Sequence, residues 1–190
     1  LFLIGTAEQA IGPMHMDEIL EEKDLPLRYI AFSPCFRREA GSYGKDTKGI
    51  WRAHYFEKLE MFIFCTPEQS EKEHQLILSI EEELMQQLKV PYRVVQLCSG
   101  DLSNPSAKSF DIEAWLPGQN KYGETHSSSN CTDFQSRRLN TRFRNKNGLQ
   151  LVYTLNGTAF AIGRILAAII ENYQQEDGSI KMPEVLENYL

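Results

Sequence analysis

The feature that most constrains this chain is a series of strand-like segments joined without regular helical crossovers. Residues 27–36 carry β-branched and aromatic side chains and read as a strand. A polar loop punctuated by Gly41, Gly44 and Gly49 follows, and residues 53–64 read as the returning strand. Residues 92–98 and 108–116 alternate like strands, while 142–144 and 151–155 flank an Asn145-Lys146-Asn147-Gly148 turn. Residues 1–4 read as a further buried strand entering a turn at Gly5. Parallel strands need crossovers, so this order predicts an α+β fold, an antiparallel sheet with helices against it. Thr6 is expected to cap a helix to about residue 20, broken at Gly12-Pro13. Pro67 opens the clearest helix, to about residue 89, with Leu76, Ile80, Leu84 and Leu88 as its apolar stripe and its acids toward solvent. Asn130 or Thr132 is expected to cap a short helix through Arg138, and residues 157–173 predict a closing apolar helix. No repeat or linker interrupts the series, which predicts one domain over residues 1–190.

The formal net charge of -6 argues against a nucleic-acid protein that works by bulk charge. The charge is unevenly placed, however. Bases outnumber acids from Arg37 to Lys58, and Arg137, Arg138, Arg142, Arg144 and Lys146 form a stretch without an acid. Acidity with local basic islands suits a protein that grips phosphates at particular places, although alternating solvated faces give the same pattern. Cys35, Cys65, Cys98 and Cys131 are widely spaced, which predicts neither a disulfide framework nor a zinc site and fits a reducing, cytoplasmic setting. No apolar run approaches the ~18 residues of a membrane span. The chain opens inside an apolar run without an initiator Met, which reads as a fragment or a processed chain.

The densest chemistry lies between Phe36 and Glu60. Arg37 and Glu39 are two apart on an expected strand, so their side chains share a face. A guanidinium beside a carboxylate suits a nucleotide, one gripping phosphate in bidentate fashion and the other accepting from the exocyclic amine of adenine. Phe56 is an aromatic that can cover a base. A surface ion pair on a hairpin would use the same residues.

These residues resemble the second signature of the class II aminoacyl-tRNA synthetases, an Arg-x-Glu strand and loop before a returning strand. The longer string FRREAGSYGKDTKGIWRAHYFEKLEMF is similar to the seryl branch of that family. Gly5-Thr6-Ala7-Glu8 resembles that branch's Thr-x-Glu serine-binding element. GETHSSSNCTDFQSRR, from Gly123 to Arg138, resembles its Glu-x-x-Ser segment, and TLNGTAFAIGRILAAIIENYQ its third signature. The resemblance implies the class II antiparallel sheet, activation of serine by ATP and transfer to tRNA(Ser). It implies that Arg37 holds the α-phosphate and the serine carboxylate, Arg164 the γ-phosphate, and Glu39, Ala53 and Phe56 the adenine. Glu124 and Ser127 would bind Mg2+, and Thr6, Glu8, Glu60 and Thr158 would line the serine pocket with Arg37. The division of ammonium and hydroxyl among them stays open. Tyr43, Lys45 and Lys48 would meet the acceptor end of tRNA, and a homodimer is expected of the full-length protein.

The chain departs from the family pattern in places. The first signature and the N-terminal tRNA-binding arm are not visible, which predicts weak activity at best from these residues alone. Ala159 and Phe160 stand at third-signature positions that often carry glycine, His126 where small residues are usual, and Gln9 where an aliphatic is common. The competing expectations are a non-catalytic synthetase-like module that binds RNA or protein, and an aminoacyl ligase that loads another acceptor.

Overall fold

The computed structural model describes residues 2–39 and 49–189. The chain begins with a one-turn helix α1 (Glu8–Ile11), continued by a 3-10 turn (Gly12–His15) and a short strand β1 (Ile19–Glu21). Then come β2 (Leu27–Phe36), β3 (Tyr55–Cys65), the long helix α2 (Ser70–Gln87), β4 (Tyr92–Gln96), β5 (Lys108–Leu116) and β6 (Lys121–Asn130). The last elements are α3 (Phe134–Leu139), β7 (Arg142–Asn145), β8 (Gly148–Leu151), β9 (Tyr153–Ala161) and α4 (Ile162–Tyr173). The main sheet is six-stranded in the order β2-β3-β9-β6-β5-β4, and every neighbouring pair in it is antiparallel. A three-stranded sheet, β1-β7-β8, contains the parallel pair β1·β7.

The two faces of the main sheet are covered differently. On one face α2 and α4 bury Ile77, Leu78, Met85, Ile165 and Ala168 against Phe110, Ile112, Ala114 and Leu116 of β5 and against Met61, Ile63 and Leu155. On the other, at the β2-β3 side, Ala7, Ile11, Leu20, Phe143 and Val152 pack on Phe62 and Phe64. Strand alternation sorts β3 residues between the two layers. α2 begins where Thr66 and Gln69 form a reciprocal capping box around Pro67, an arrangement that satisfies helix-end donors and contributes about 1 kcal/mol.

The antiparallel α+β reading holds, and β2 and β5 have the expected bounds. Several local expectations are corrected. Residues 2–4 form no strand; Phe2 and Leu3 are exposed, and the Ile4 carbonyl accepts one bond, from Phe36 N at 2.8 Å. The first helix stops at Ile11 because Pro13 forces a 3-10 turn, and Ala7 rather than Thr6 takes the capping position. The strand after the 145–148 turn begins at Gly148, and Asp133 rather than Asn130 or Thr132 precedes α3. Residues 157–161 are the end of β9, not the start of a helix. β6, between β5 and β9, was not anticipated at all. On α2 the stripe is rotated: Ile77, Leu78, Met85 and Leu88 are buried together with Glu73, His74 and Glu81, while Leu76, Ile80 and Leu84 are half-buried. Two of its acids therefore face inward. Glu73 makes a bidentate pair with Arg28 at 2.7 and 2.8 Å, which compensates its burial.

Candidate active site

A cavity of about 440 Å³ opens on the sheet face opposite α2. Its floor follows from the two-residue period of the strands. Phe56, Lys58 and Glu60 of β3, Asn156 and Thr158 of β9, and Thr125, Ser127 and Ser129 of β6 all point into it. Thr6 and Glu8 close one end; Arg37, Glu39, Ala53, Glu124 and Arg164 line the rest. Every described residue to which the sequence assigned a role thus reaches this single cavity. Tyr43, Lys45 and Lys48 lie outside the described residues.

The guanidinium end is built from chain segments held against one another. Arg37 extends the β2·β3 pairing, its N–H donating to His54 O at 2.9 Å, while its Nε donates to Gly5 O at 3.1 Å. Its guanidinium lies 5.1 Å from the centre of the Phe56 ring, a cation–π distance. Arg164, in the first turn of α4, donates through Nη1 to Glu124 Oε1 at 2.9 Å and to Glu124 O at 3.1 Å. Glu39 pairs with Arg52. A 3-10 turn, Gly49–Trp51, rests on β6 at Gly123, where an added Cβ would come 2.5 Å from the Trp51 ring. Only glycine lets that indole approach, which explains Gly123 next to Glu124.

The carboxylate end is drier. Lys58 Nζ lies 2.5 Å from Glu60 Oε2, with both residues buried. Burial raises the pKa of Glu60, and the adjacent Lys58 ammonium partly offsets this. Burial likewise raises that of Glu8, against the pull of a hydrogen bond from Gln135 and the charges of Lys58 and Arg37. Beside the Ser127 hydroxyl, Asp111 is pushed up to about 6, mainly by burial. The His126 ring, buried against Phe160, is pushed down to about 4 by desolvation. It faces away from the cavity, so its departure from small residues is accommodated behind the floor.

Sequence reasoning missed Arg52, Lys58, Asp111, Gln135 and Asn156. A signal existed for Lys58, which stands two residues from both Phe56 and Glu60 and so must share their face. Asn156 has the same relation to Thr158, but that segment read as a helix. Nothing in the sequence marks Asp111 or Gln135, whose partners come from other elements.

An antiparallel sheet carrying arginines from two separate segments over one cavity defines a class, and comparison agrees. The chain belongs to the family described as the tRNA synthetase class II core domain (G, H, P, S and T), whose model matches residues 1–173. Within it, the chain is 59% identical to the serine–tRNA ligase of Dictyoglomus thermophilum, over 100% of this chain and 45% of that protein. It is 54% identical to the serine–tRNA ligase of Pyrococcus furiosus, over 100% of this chain and 42% of that one. In structure it is similar to seryl-tRNA synthetase from Pyrococcus horikoshii complexed with ATP, with a TM-score of 0.94 and 54% identity, covering 98% of this chain and 42% of that one. Cytoplasmic serine–tRNA ligase from Naegleria fowleri in complex with AMP gives 0.92 at 43% identity, covering 98% and 44%. The chain spans less than half the length of these relatives.

Proposed function

We propose that this chain is the catalytic portion of a serine–tRNA ligase, which joins L-serine to ATP as seryl-adenylate and passes the seryl group to tRNA(Ser). The observation that carries this reading is the convergence of Arg37, Glu124 and Arg164 with Thr6, Glu8, Glu60 and Thr158 on one cavity. The names of the relatives support it, as do the ATP and AMP bound by the two similar structures.

In the first step a serine carboxylate oxygen attacks the α-phosphorus, and the bond to the bridging oxygen breaks, releasing pyrophosphate. Charge builds on oxygens that must be met by donors already in place. Arg37 meets the α-phosphate and the attacking carboxylate, and its cation–π contact with Phe56 holds the guanidinium in place. Arg164 exchanges Glu124 for the γ-phosphate. Glu39, held by Arg52, accepts from the adenine amine, with Ala53 against the ring. In the second step a ribose hydroxyl of the tRNA terminus attacks the seryl carbonyl carbon, loses its proton, and AMP departs. Tyr43, Lys45 and Lys48 are assigned to that terminus.

Among the described residues no cluster of His, Cys, Asp and Glu forms a metal cage. Glu124 and Ser127 nevertheless offer the hard oxygens that suit Mg2+, which binds largely through waters and substrate phosphates. When bound it would neutralise phosphate charge; freed from Arg164, Glu124 would hold it. Glu8, Glu60, Thr6 and Thr158 read the amino acid, because unpaired buried polar groups penalise alanine and glycine. A homodimer, a single catalytic domain and a cytoplasmic setting belong to the same proposal; no helix among the described residues is long and apolar enough to cross a membrane.

The test is ATP–pyrophosphate exchange with this chain and with a version extended to the length of the relatives. Exchange that depends on serine is expected. Exchange with threonine or proline but not serine would move the chain to another specificity, and RNA binding without any exchange would favour a non-catalytic module.

A further inference from the structure

Gln135 joins the carboxylate end of the cavity to the buried body of the fold. It lies on α3, half-buried, and its amide has two partners. Nε2 donates to Glu8 Oε1, and Oε1 accepts from the Thr154 hydroxyl at 2.5 Å. An ionised carboxylate only accepts, so the amide nitrogen must face Glu8 and the amide oxygen must face the threonine. Thr154 is fully buried, with its N–H donating to Thr132 O at 3.0 Å and its carbonyl accepting from Cys131 N at 2.9 Å. Next along α3, the Ser136 hydroxyl donates to Val152 O. Two successive side chains therefore pin α3 to β9 and its approach, and the Gln135 amide cannot turn away.

The chemistry of the donor matters as much as its placement. Lys58 is already committed to Glu60. A cation on Glu8 would cancel the charge that an incoming ammonium needs, whereas a neutral amide fixes the carboxylate and leaves it negative. We propose that Gln135, oriented by Thr154, is a positioning residue for the amino-acid substrate, holding the Glu8 carboxylate where it receives the substrate's ammonium group. This rests on the serine-activating reading above and adds to it the part of the molecule that organises the ammonium site.

The charged and titratable groups facing Glu8 are Lys58 and Glu60 from β3, Arg37 after β2 and Cys131 after β6. Gln135 favours the ionised form of Glu8. Its removal should move the acid limb of serine binding to higher pH.

Calorimetry decides the matter with two titrations, ATP alone and serine in the presence of a non-hydrolysable ATP analogue, over roughly pH 5 to 8. Gln135→Ala should weaken serine binding roughly 10- to 100-fold, the worth of a hydrogen bond to a charged group, with ATP affinity within about twofold of wild type. Thr154→Val should weaken serine less, and Thr154→Ser should match wild type. Should Gln135→Ala not fold, the contrast between the two Thr154 variants carries the same decision. Serine binding unchanged in Gln135→Ala, or serine and ATP lost in equal proportion, overturns the inference. A wild-type protein that binds ATP and not serine overturns the serine reading and this inference with it. One that binds both, with Gln135→Ala indistinguishable from it, overturns the inference alone.

Discussion

The two ends of the cavity are built on opposite plans. At the guanidinium end, Arg164 and Arg52 each hold a carboxylate, Glu124 and Glu39, and the side chains remain partly open to solvent. At the carboxylate end, Glu60 and Lys58 are buried as a pair and Glu8 is tied to Gln135. On the proposed reading, the difference follows from the charge each end takes. A triphosphate brings several negative charges, and ion pairs that remain partly open to solvent can exchange a carboxylate for a phosphate more readily than a fully buried pair. A single ammonium and hydroxyl must be told from alanine's methyl, which needs dry, fixed acceptors. On that reading, discrimination rests on buried, fixed acceptors and charge compensation on exchangeable partners.

The largest expected effect lies at the guanidinium end. Arg164→Ala and Arg37→Ala should each lower the rate of pyrophosphate exchange by about 10³-fold, as removal of a preorganised donor does, while leaving the melting temperature near wild type. For Arg164→Ala, a loss of that size confined to KM for serine would break the division between the two ends.

Next comes discrimination at the other end. Thr158→Val removes a hydroxyl from the cavity floor without changing its shape, and should cut the preference for serine over alanine by about 10- to 100-fold. Exchange rates at saturating serine and alanine measure it.

The rigidity itself can be tested from behind. β9 passes close over α2 at Gly157, where an added Cβ would lie 2.2 Å from Ile77 Cγ2 and 3.0 Å from Glu81 Oε1. Gly157→Ala should destabilise the fold by about 1–3 kcal/mol in urea titration, the usual cost of overpacking. Because Asn156 and Thr158 flank that position, serine affinity should fall with it and ATP affinity should not.

The smallest effect concerns pH. Glu81 is fully buried, and burial with the nearby Glu60 charge raises its pKa well above the ordinary carboxylate value. The folded state therefore binds its proton more tightly than the unfolded chain. That contribution is complete below the unfolded value, about 4.3, and is lost as pH rises through the folded one. Glu81→Gln should raise the melting temperature at neutral pH by about 2–4 °C, a change near 1 kcal/mol in a domain of this size, and the gain should vanish in acid.

How much of this was legible in sequence depended on whether a residue's role was set by its neighbours in the chain. β5 alternates because one face packs on core, and β2 is rich in β-branched and aromatic side chains, so their bounds could be read directly. β6 could not, since Thr125, Ser127 and Ser129 face the cavity while His126 and Ser128 face inward, leaving no apolar alternation. Residues 157–161 continue without a polar break into α4, and an apolar run alone does not separate strand from helix. Glu73 and Glu81 violate the ordinary rule for a helix face, one matched by Arg28 and the other favoured in its protonated form. Arg37, Glu39, Glu124 and Arg164 were found as motif positions, whereas Gln135 and Asp111 matter through partners that only the folded chain brings near.

On the proposed reading, one cavity takes both ATP and serine. A fluorescent non-hydrolysable seryl-adenylate analogue, bound to the protein and challenged separately with ATP and with serine, tests that directly. Displacement by each ligand alone, with the analogue held far more tightly than either, is the predicted result. Displacement by ATP with no effect of saturating serine would contradict it.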